Sequence, residues 1–224
     1  MTPPRLRVDV VVPARDDEAG LASALATFAS REVRAVVVVD RASADGTAGV
    51  ARDRGAIVLR EPSGGYGAAC LRALAHFAEL PEPPDVVVFA PADVRLRAAD
   101  VGALVGPIAD KDAELTIGVP AAAGALRERV VLGLIEAVYR HRFRAAGPVR
   151  AIRYPALVAL GMSDRGDGWD VEMLVRGLKL GLGMLEVAVG DDAAPATAGR
   201  AGLRAAAAAG GRSLFHILRH ATVR

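Results

Sequence analysis

Short valine-rich runs, separated by stretches of helical periodicity, constrain the fold of this chain more than any other feature. The first 120 residues contain five such runs, at positions 8–13, 34–40, 56–59, 85–90 and 114–119. Continuous apolar runs rich in β-branched residues are typical of strands buried on both faces of a parallel sheet. Between them apolar residues recur at helical spacing, as at Leu21, Leu25 and Phe28. The alternation predicts βαβ units in an open, mostly parallel α/β sheet with helices on both faces.

The second half of the chain is less regular, and its elements are predicted from the same two patterns. We expect a helix over 125–144, a strand over 149–152 stopped by Pro155, a helix over 168–181, a strand over 184–189, a loop over 190–199 and a helix over 212–224. Neither an internal repeat nor a linker interrupts the sequence. Residues 1–224 are therefore predicted to form a single domain.

Composition and charge exclude several classes of protein. The formal net charge of +2 is too small to indicate nucleic-acid binding, and only 4% of the residues are aromatic. A single cysteine, Cys70, rules out a disulfide framework. No run of about 18 apolar residues is present to span a membrane. Because the N-terminal Met-Thr-Pro-Pro-Arg leads directly into a strand, we expect no signal peptide and a cytoplasmic protein.

Carboxylates follow three of the predicted strands. Asp17 comes shortly after the first strand, Asp40 ends the second and Asp93 comes shortly after the fourth. Ligands of open parallel sheets bind beyond the carboxyl ends of the strands. Carboxylates there can accept hydrogen bonds from ribose hydroxyls, or hold Mg²⁺ or Mn²⁺ against a diphosphate. The pattern indicates a nucleotide site with a divalent cation, while the alternative for Asp17 and Asp45 is helix N-capping.

A glycine-rich segment, Gly64-Gly65-Tyr66-Gly67, follows the third predicted strand and opens a helix. Glycines at such a position permit a tight turn and a close approach of the backbone to a ligand. The segment is not a Walker loop, because no Gly-Lys-Ser/Thr follows it, and it lacks the G-x-G-x-x-G spacing. By itself it is a weak indication of a phosphate site.

Four stretches of the sequence carry further motifs. The first two stretches are VDVVVPARDDEAGLASAL and VVVVDRASADGTAGVARDRGA. The first combines a strand, Pro-Ala, acidic residues and a helix, and in the second a strand ends in Asp before Ser-x-Asp-Gly-Thr. EPSGGYGAACLRAL contains Gly-Tyr-Gly-Ala-Ala, and GDGWDVEMLVRGLKLGLGMLEVAV contains Gly-Trp-x-Val-Glu-Met. In this order they resemble family 2 glycosyltransferases of the GT-A fold, and the last stretch is similar to the polyprenyl-phosphate branch. The likeness runs from about residue 8 to residue 189.

The resemblance implies transfer of a sugar from a nucleoside-diphosphate sugar, with residues 1–120 as the nucleotide-binding half, 121–199 as the acceptor half and 200–224 as a C-terminal helix. The residues that it implies for donor binding are Pro13, Ala14, Arg15, Asp17, Asp40, Gly65, Gly67, Ala92 and Asp93. Asp93 matches the last acid of the family's Asp-x-Asp motif and would hold Mg²⁺ or Mn²⁺. Trp169 and Arg150 would lie on the acceptor side, although packing in the core is the alternative for Trp169.

A general base is required if the acceptor is a hydroxyl, but not if it is a lipid phosphate, which is already an anion. Asp170 and Glu172 are the catalytic candidates, together with Asp167. All three lie at or near the start of the helix predicted over 168–181. The alternative for Asp167 and Asp170 is capping of that helix.

Several positions depart from the family's pattern. Pro91 replaces the first acid of Asp-x-Asp, Asp16 replaces an asparagine, and an acidic and then apolar stretch at 191–197 replaces a basic loop. Loss of cations weakens stabilisation of the charge that develops on a departing diphosphate. Two hypotheses therefore stay open. The chain is either a metal-dependent glycosyltransferase or a diverged relative that binds nucleotides, acts as a scaffold or catalyses a repurposed reaction.

The C-terminal stretch 212–224 combines an apolar stripe with Arg212, Arg219 and Arg224. Such a segment either packs back onto the sheet or lies on an anionic membrane surface, which would suit a lipid-linked acceptor. The expected partners are thus a nucleoside-diphosphate sugar, a membrane surface contacted peripherally through 212–224 and a second copy of the chain in a homodimer. Nucleic acid is not among them.

Overall fold

The structure, a computed structural model, describes residues 5–120 and 126–190. Within these residues the chain forms seven strands and seven helices. The strands are β1 (Val8–Ala14), β2 (Val33–Asp40), β3 (Ile57–Arg60), β4 (Val86–Phe89), β5 (Leu115–Pro120), β6 (Arg150–Arg153) and β7 (Met184–Val189). The helices are α1 (Glu18–Phe28), α2 (Thr47–Asp53), α3 (Tyr66–Ala78), α4 (Ala98–Ala109), α5 (Leu126–Tyr139), α6 (Tyr154–Leu160) and α7 (Trp169–Leu180).

The seven described strands form one sheet in the order β3-β2-β1-β4-β6-β5-β7. Neighbouring strands run parallel, except that β6 is antiparallel to both β4 and β5. The prediction of a mostly parallel α/β sheet is confirmed. Because β2 and β4 lie on opposite sides of β1, the direction of winding reverses between β1 and β4. A sheet with this topology has a crevice at the carboxyl ends of those two strands.

The valine runs supply two cores, one on each face of the sheet. Val11 and Val87 contribute to the core with α3, α5, α6 and α7, whereas Val10 and Val12 contribute to the core with α1, α2 and α4. Successive side chains of a strand point to opposite faces. A strand covered by helices on both faces therefore needs apolar residues at consecutive positions, which explains why these runs show no polar alternation.

Two short helices, α2 and α6, escape the sequence patterns because each has only seven residues. At α2, the Asp45 carboxylate accepts a hydrogen bond from the Thr47 N–H at 3.0 Å and so supports the start of the helix. The prediction that Pro155 stops β6 is wrong. The strand ends at Arg153, and Pro155 lies in the first turn of α6, where the missing N–H removes no helical hydrogen bond.

The remaining elements of the second half follow their predictions, apart from α5, which ends at Tyr139 rather than at residue 144. Residues 191–199 of the loop predicted over 190–199, and the helix predicted over 212–224, lie outside the described residues. The single-domain organisation of 1–224 therefore stays a prediction. In the part of the chain that the structure describes, every helix is too short or too polar to cross a membrane.

Candidate functional site

A cleft of about 480 Å³ opens at the carboxyl ends of β1, β2 and β4. It lies at the point where the topology of the sheet reverses, which is where α/β sheets bind their ligands. Its lining comes from the segments after β1, β2 and β4, the start of α3, the turn before β6 and the start of α7. The lining residues are Pro13, Ala14, Arg15, Asp16, Asp17, Arg41, Tyr66, Pro91, Ala92, Asp93, Pro148, Asp167 and Asp170.

Hydrogen bonds between the loops after β1 and β2 hold one wall of the cleft. The backbone N–H groups of Asp16 and Asp17 donate to Ser43 Oγ at 3.0 Å and to Thr47 Oγ1 at 2.9 Å. Asp16 and Ala42 both have positive φ angles, 49° and 57°. This backbone conformation is unfavourable for residues with a Cβ and persists only where the surroundings enforce it. The two loops are therefore preorganised before any ligand binds.

Asp170 faces the cleft from the first turn of α7 with its side chain 18% exposed. Its Oδ1 atom lies 3.8 Å from Arg150 Nε and has no hydrogen-bond partner in the described part of the chain. Burial raises the pKa of Asp170 to about 6, opposed by the Arg150 charge and assisted by the charges of Asp167, Asp164 and Glu128. A carboxyl group with this pKa is ionised at neutral pH and still accepts a proton readily, as a general base must.

Arg150 was expected on the acceptor side. It is instead buried next to Asp170 and does not line the cleft. Its Nη1, Nε and Nη2 atoms donate hydrogen bonds to the backbone carbonyls of Asp170, Gly147 and Ala146 at 2.8, 3.0 and 3.1 Å. Burial lowers the pKa of its guanidinium below the ordinary value. Arg150 therefore joins the turn before β6 to the first turn of α7 and supports the floor of the cleft.

Asp17 and Asp93 place negative charge in the same cleft. Asp17 Oδ2 is buried without a partner among the described residues, and its pKa is raised by burial and by the charges of Asp93 and Asp45. The Asp93 side chain is exposed to the cleft. No group of three or more His, Cys, Asp and Glu side chains in residues 5–120 and 126–190 could hold a metal ion. Asp17 and Asp93 alone are therefore too few to hold a metal ion by protein ligands. They fit a hard divalent cation that takes most of its ligands from phosphate and water, as Mg²⁺ does.

Helix capping does not account for the carboxylates that face the cleft. Asp17 occupies the N-cap position of α1 without a capping hydrogen bond of ordinary geometry, and the nearby Gly20 N–H only partly opposes the rise in its pKa. The N-cap of α7 is Gly168, and its N–H donates a hydrogen bond to Asp164 Oδ1 at 3.2 Å. Asp167 and Asp170 are therefore free of the capping role that was their alternative interpretation, and both line the cleft.

Most of the residues predicted to bind a donor come together in this cleft, namely Pro13, Ala14, Arg15, Asp17, Ala92 and Asp93. Asp40 is not among the lining residues. Its carboxylate accepts a hydrogen bond from the Ser43 N–H at 3.0 Å and stabilises the turn after β2. The sequence places Asp40 correctly at the end of a strand, but its side chain already has a partner within the turn.

Gly65 and Gly67 contact another segment of the chain rather than the cleft. Their N–H groups donate to the carbonyls of Arg165 at 2.8 Å and Gly166 at 2.9 Å. A Cβ at position 67 would overlap the carbonyl oxygen of Asp164. The close approach that the glycines permit is therefore between α3 and residues 164–166, which corrects the expectation of a ligand contact.

Trp169 and Glu172 are also buried away from the cleft. Trp169 packs edge-on against Phe89 in the core, with ring centroids 6.0 Å apart. The Glu172 carboxylate accepts hydrogen bonds from the Ser163 hydroxyl at 2.7 Å and the Asp164 N–H at 2.8 Å, and it pairs with Arg176 at 2.9 Å. Despite burial, these partners lower its pKa. The expected catalytic role of Glu172 and acceptor-side role of Trp169 are corrected to structural roles.

Three cleft residues escape the sequence patterns. Arg41 directly follows the last acid of β2, Tyr66 opens α3, and Pro148 precedes β6. The Tyr66 hydroxyl lies 3.4 Å from the Pro148 carbonyl oxygen, so the two residues form one wall together. For Arg41 the signal in the sequence is its position immediately beyond a strand that ends at the ligand-binding edge, and for Tyr66 it is its place in Gly64-Gly65-Tyr66-Gly67.

The fold and the cleft together define an α/β protein with an acidic cleft at the switch point of its sheet. The family model of glycosyl transferase family 2 matches residues 9–153, and the chain belongs to this family. It is 34% identical over 198 residues to uncharacterized glycosyltransferases of Mycobacterium tuberculosis and Mycobacterium bovis, covering 81% of this chain and 84% of each relative. The expected family and enzyme class are confirmed, whereas the polyprenyl-phosphate branch stays a prediction.

Solved structures support the GT-A fold. Glucosyl-3-phosphoglycerate synthase from Mycobacterium tuberculosis, in complex with Mn²⁺, UDP and glucosyl-3-phosphoglycerate, has a TM-score of 0.79 at 20% identity and covers 98% of this chain and 81% of its own. A structure described as a mycobacterial protein has a TM-score of 0.79 at 23% identity, covering 98% of this chain and 76% of its own. At these identities the likeness shows the fold alone.

Proposed function

We propose that this protein transfers a glycosyl unit from a nucleoside-diphosphate sugar to an acceptor. The observation that carries the proposal is the cleft between the ends of β1 and β4, in which Asp17, Asp93 and Asp170 converge from three separate elements. Membership of glycosyl transferase family 2 supports the reaction class. Because the synthase with the same fold was crystallised with UDP, a uridine nucleotide is the first donor to test.

In this proposal Pro13, Ala14 and Arg15 contact the nucleotide, and Asp93 holds Mg²⁺ or Mn²⁺. The bound ion would supply positive charge to the diphosphate as it departs. Two observations support this assignment. Asp93 is exposed in the cleft and forms no ion pair among the described residues, and the pKa of Asp17 is raised first by burial and then by the charges of Asp93 and Asp45, which a cation would offset.

Asp170 is the proposed general base, and its position favours a hydroxyl acceptor over a phosphate. A hydroxyl must lose its proton as it attacks, whereas a phosphate needs no base. The Asp170 carboxyl lines the cleft with one oxygen that has no partner in residues 5–120 and 126–190, and its pKa is raised to about 6 by burial. At neutral pH it is ionised and can accept the proton of the acceptor.

A second candidate function is nucleotide binding without transfer. Pro91 stands in the cleft where the family's motif has its first acid, and the described residues provide no cluster of three metal-ligating side chains. A site of this kind holds a metal ion weakly before the nucleotide binds. The two candidates are distinguished by whether the sugar of a bound donor is released or transferred.

Nucleotide binding is tested by thermal unfolding of the whole chain with UDP or GDP, each with and without Mn²⁺. A ligand at 100 times its Kd raises the free energy of unfolding by about 2.7 kcal/mol. Asp93→Ala should remove the Mn²⁺-dependent part of the increase in Tm, whereas Asp110→Ala, at the exposed end of α4, should retain it. If neither nucleotide raises the Tm of the natural protein in either condition, the proposed function is wrong.

Peripheral membrane contact through residues 212–224, a cytoplasmic location and a homodimer complete the proposal. Residues 212–224 lie outside the described part of the chain, and their basic and apolar composition is the support for this contact. Sedimentation with phosphatidylglycerol vesicles should capture the full chain but not a chain that ends at residue 211. Light scattering of the full chain measures its mass and tests the homodimer.

A further inference from the structure

Among the described residues, five aspartates but only two arginines, Arg15 and Arg41, line the cleft. The two arginines differ in their surroundings. Arg15 is 61% exposed and lies 3.7 Å from the Asp16 carboxylate, so its charge is already compensated. Arg41 Nε is buried and has no hydrogen-bond partner among the described residues. Among the described residues that line the cleft, Arg41 is therefore the arginine with a buried, unpartnered N–H whose hydrogen bond a ligand can accept.

The backbone of Arg41 is held firmly at the edge of the sheet. Its N–H donates to the Ala14 carbonyl at 3.0 Å, next to the end of β1. The turn that follows contains Ala42, with a φ of 57°, and is closed by the hydrogen bond from the Ser43 N–H to Asp40. A rigid turn of this kind fixes the direction in which the Arg41 side chain leaves the backbone.

The side chain extends from this turn toward α3. The Arg41 charge acts on the buried thiol of Cys70 in α3, where it opposes the rise in pKa that burial causes. Arg41 also lines the cleft, so its charge lies near both the cleft and α3. The partly buried position makes an unpartnered N–H unfavourable, unless a ligand accepts its hydrogen bond.

We propose that Arg41 binds the diphosphate of the donor and supplies positive charge to the nucleoside diphosphate as it departs. A guanidinium is a donor-only group whose planar fork matches phosphate oxygens. As the bond between the anomeric carbon and the diphosphate oxygen breaks, the electron pair remains on that oxygen, and Arg41 stabilises the resulting charge. This assignment rests on the proposed function and replaces part of the positive charge that the family's basic loop provides.

The test compares Arg41→Gln and Arg41→Lys with the natural chain, using isothermal titration with UDP and with uridine in the presence of Mn²⁺. Loss of a charge-assisted hydrogen bond should weaken UDP binding by about 10- to 100-fold in Arg41→Gln. Uridine binding should change less than twofold, and Arg41→Lys should recover part of the lost affinity. Arg52→Gln, an exposed arginine in the last turn of α2, is the matched control.

The Tm of Arg41→Gln in the absence of nucleotide tests whether Arg41 has a structural role. Since Arg41 Nε has no partner to lose in the described part of the chain, Arg41→Gln should unfold at the same or a higher temperature. Equal losses of UDP and uridine affinity, or unchanged UDP affinity, would overturn the proposal while leaving the proposed function intact. Failure of the natural chain to bind UDP or GDP would instead contradict the proposed function, and this inference with it.

Discussion

At the scale of single residues, Asp170 shows that an adjacent arginine need not lower the pKa of a carboxyl group. Arg150 Nε is 3.8 Å away from Asp170 Oδ1, but all three guanidinium nitrogens donate to backbone carbonyls. The Arg150 charge therefore acts on Asp170 without a hydrogen bond, and desolvation has the larger effect. The Asp170 carboxyl group remains able to accept a proton because the hydrogen bonds of Arg150 go to backbone carbonyls.

Asp170→Asn should stabilise the fold in a pH-dependent way. Because the pKa of Asp170 is raised from 3.8 to about 6, the folded state binds its proton more tightly, and the resulting stability is lost as the pH rises from about 4 through 6. The neutral amide avoids this loss. At pH 8 the variant should therefore be more stable by roughly 2–3 kcal/mol, and at pH 4 the difference should largely vanish.

Urea denaturation of both chains at pH 4 and pH 8 measures this difference. Asp53→Asn, at the exposed end of α2, is the control and should leave stability unchanged at both values. A stabilisation by Asp170→Asn that is equal at pH 4 and pH 8 would show that ionisation of Asp170 is not its origin. A functional charged group in a cleft often lowers the stability of the fold, so its removal is expected to raise stability and to lower activity.

At the scale of elements, the start of α3 and the segment before α7 behave as one unit. The N–H groups of Gly65 and Gly67 donate to carbonyls at positions 165 and 166, and the Ala68 N–H donates to position 165 at 3.0 Å. Exposed N–H groups at the start of a helix usually bind side chains, water or ligands. Here they bind the chain itself and bring Tyr66 and Asp170 to the same cleft.

Gly67→Ala should disrupt this contact. The added Cβ would overlap the Asp164 carbonyl oxygen, which belongs to the backbone and cannot rotate away, so we expect a loss of about 2–3 kcal/mol in the free energy of unfolding. Gly133→Ala, on α5, is the matched control. Nothing lies within 4 Å of its added Cβ, and a gain of up to about 1 kcal/mol is expected there. Guanidinium denaturation distinguishes the two, and equal effects would contradict the packing argument.

At the scale of the whole molecule, the two ends of the parallel strands have separate tasks. The cleft lies at the carboxyl ends, whereas the amino ends carry ion pairs. Arg34 donates to both oxygens of the buried Asp9, at 2.8 and 2.6 Å, and Arg7 contacts Asp85 at 2.9 Å. With about 3.3 Å per residue, the length of β1 separates these pairs from the cleft by roughly 20 Å.

Arg34→Leu should therefore lower stability without changing nucleotide binding. It leaves the Asp9 carboxylate, 1% exposed, without its partner, and breaking a buried pair costs about 3–5 kcal/mol. Since the Arg34 side chain is 31% exposed, the lower end of that range is expected. Changes this far apart act independently.

Chemical denaturation of Arg34→Leu, with the exposed Arg31→Leu as control, measures the loss. The double variant Asp9→Leu/Arg34→Leu should recover part of it, because no charge is then left buried alone. Nucleotide titration of Arg34→Leu should give the Kd of the natural chain. A weakened Kd would show that the two ends of the sheet are coupled.

Much of the fold was predictable because its signals are local. The valine runs of β1, β2 and β4 mark strands covered on both faces, and their order along the chain predicts βαβ units. The helices α2 and α6 were not predictable, since seven residues are too few to establish a periodicity. The antiparallel placement of β6 between β4 and β5 also has no local signature.

The position of acids at the ends of the central strands follows from the sequence, because strand ends and charges can be located from neighbouring residues. Which of these acids are available for a ligand depends on the folded structure. Asp40 and Glu172 accept hydrogen bonds from N–H groups of nearby turns, whereas Asp170 keeps an oxygen without a partner in the part of the chain that the structure describes. The folded structure also placed Arg41 in the cleft, where its Nε atom has no hydrogen-bond partner among the described residues. Burial and hydrogen bonding depend on segments far apart in the chain, and these set the charge and reactivity of each side chain.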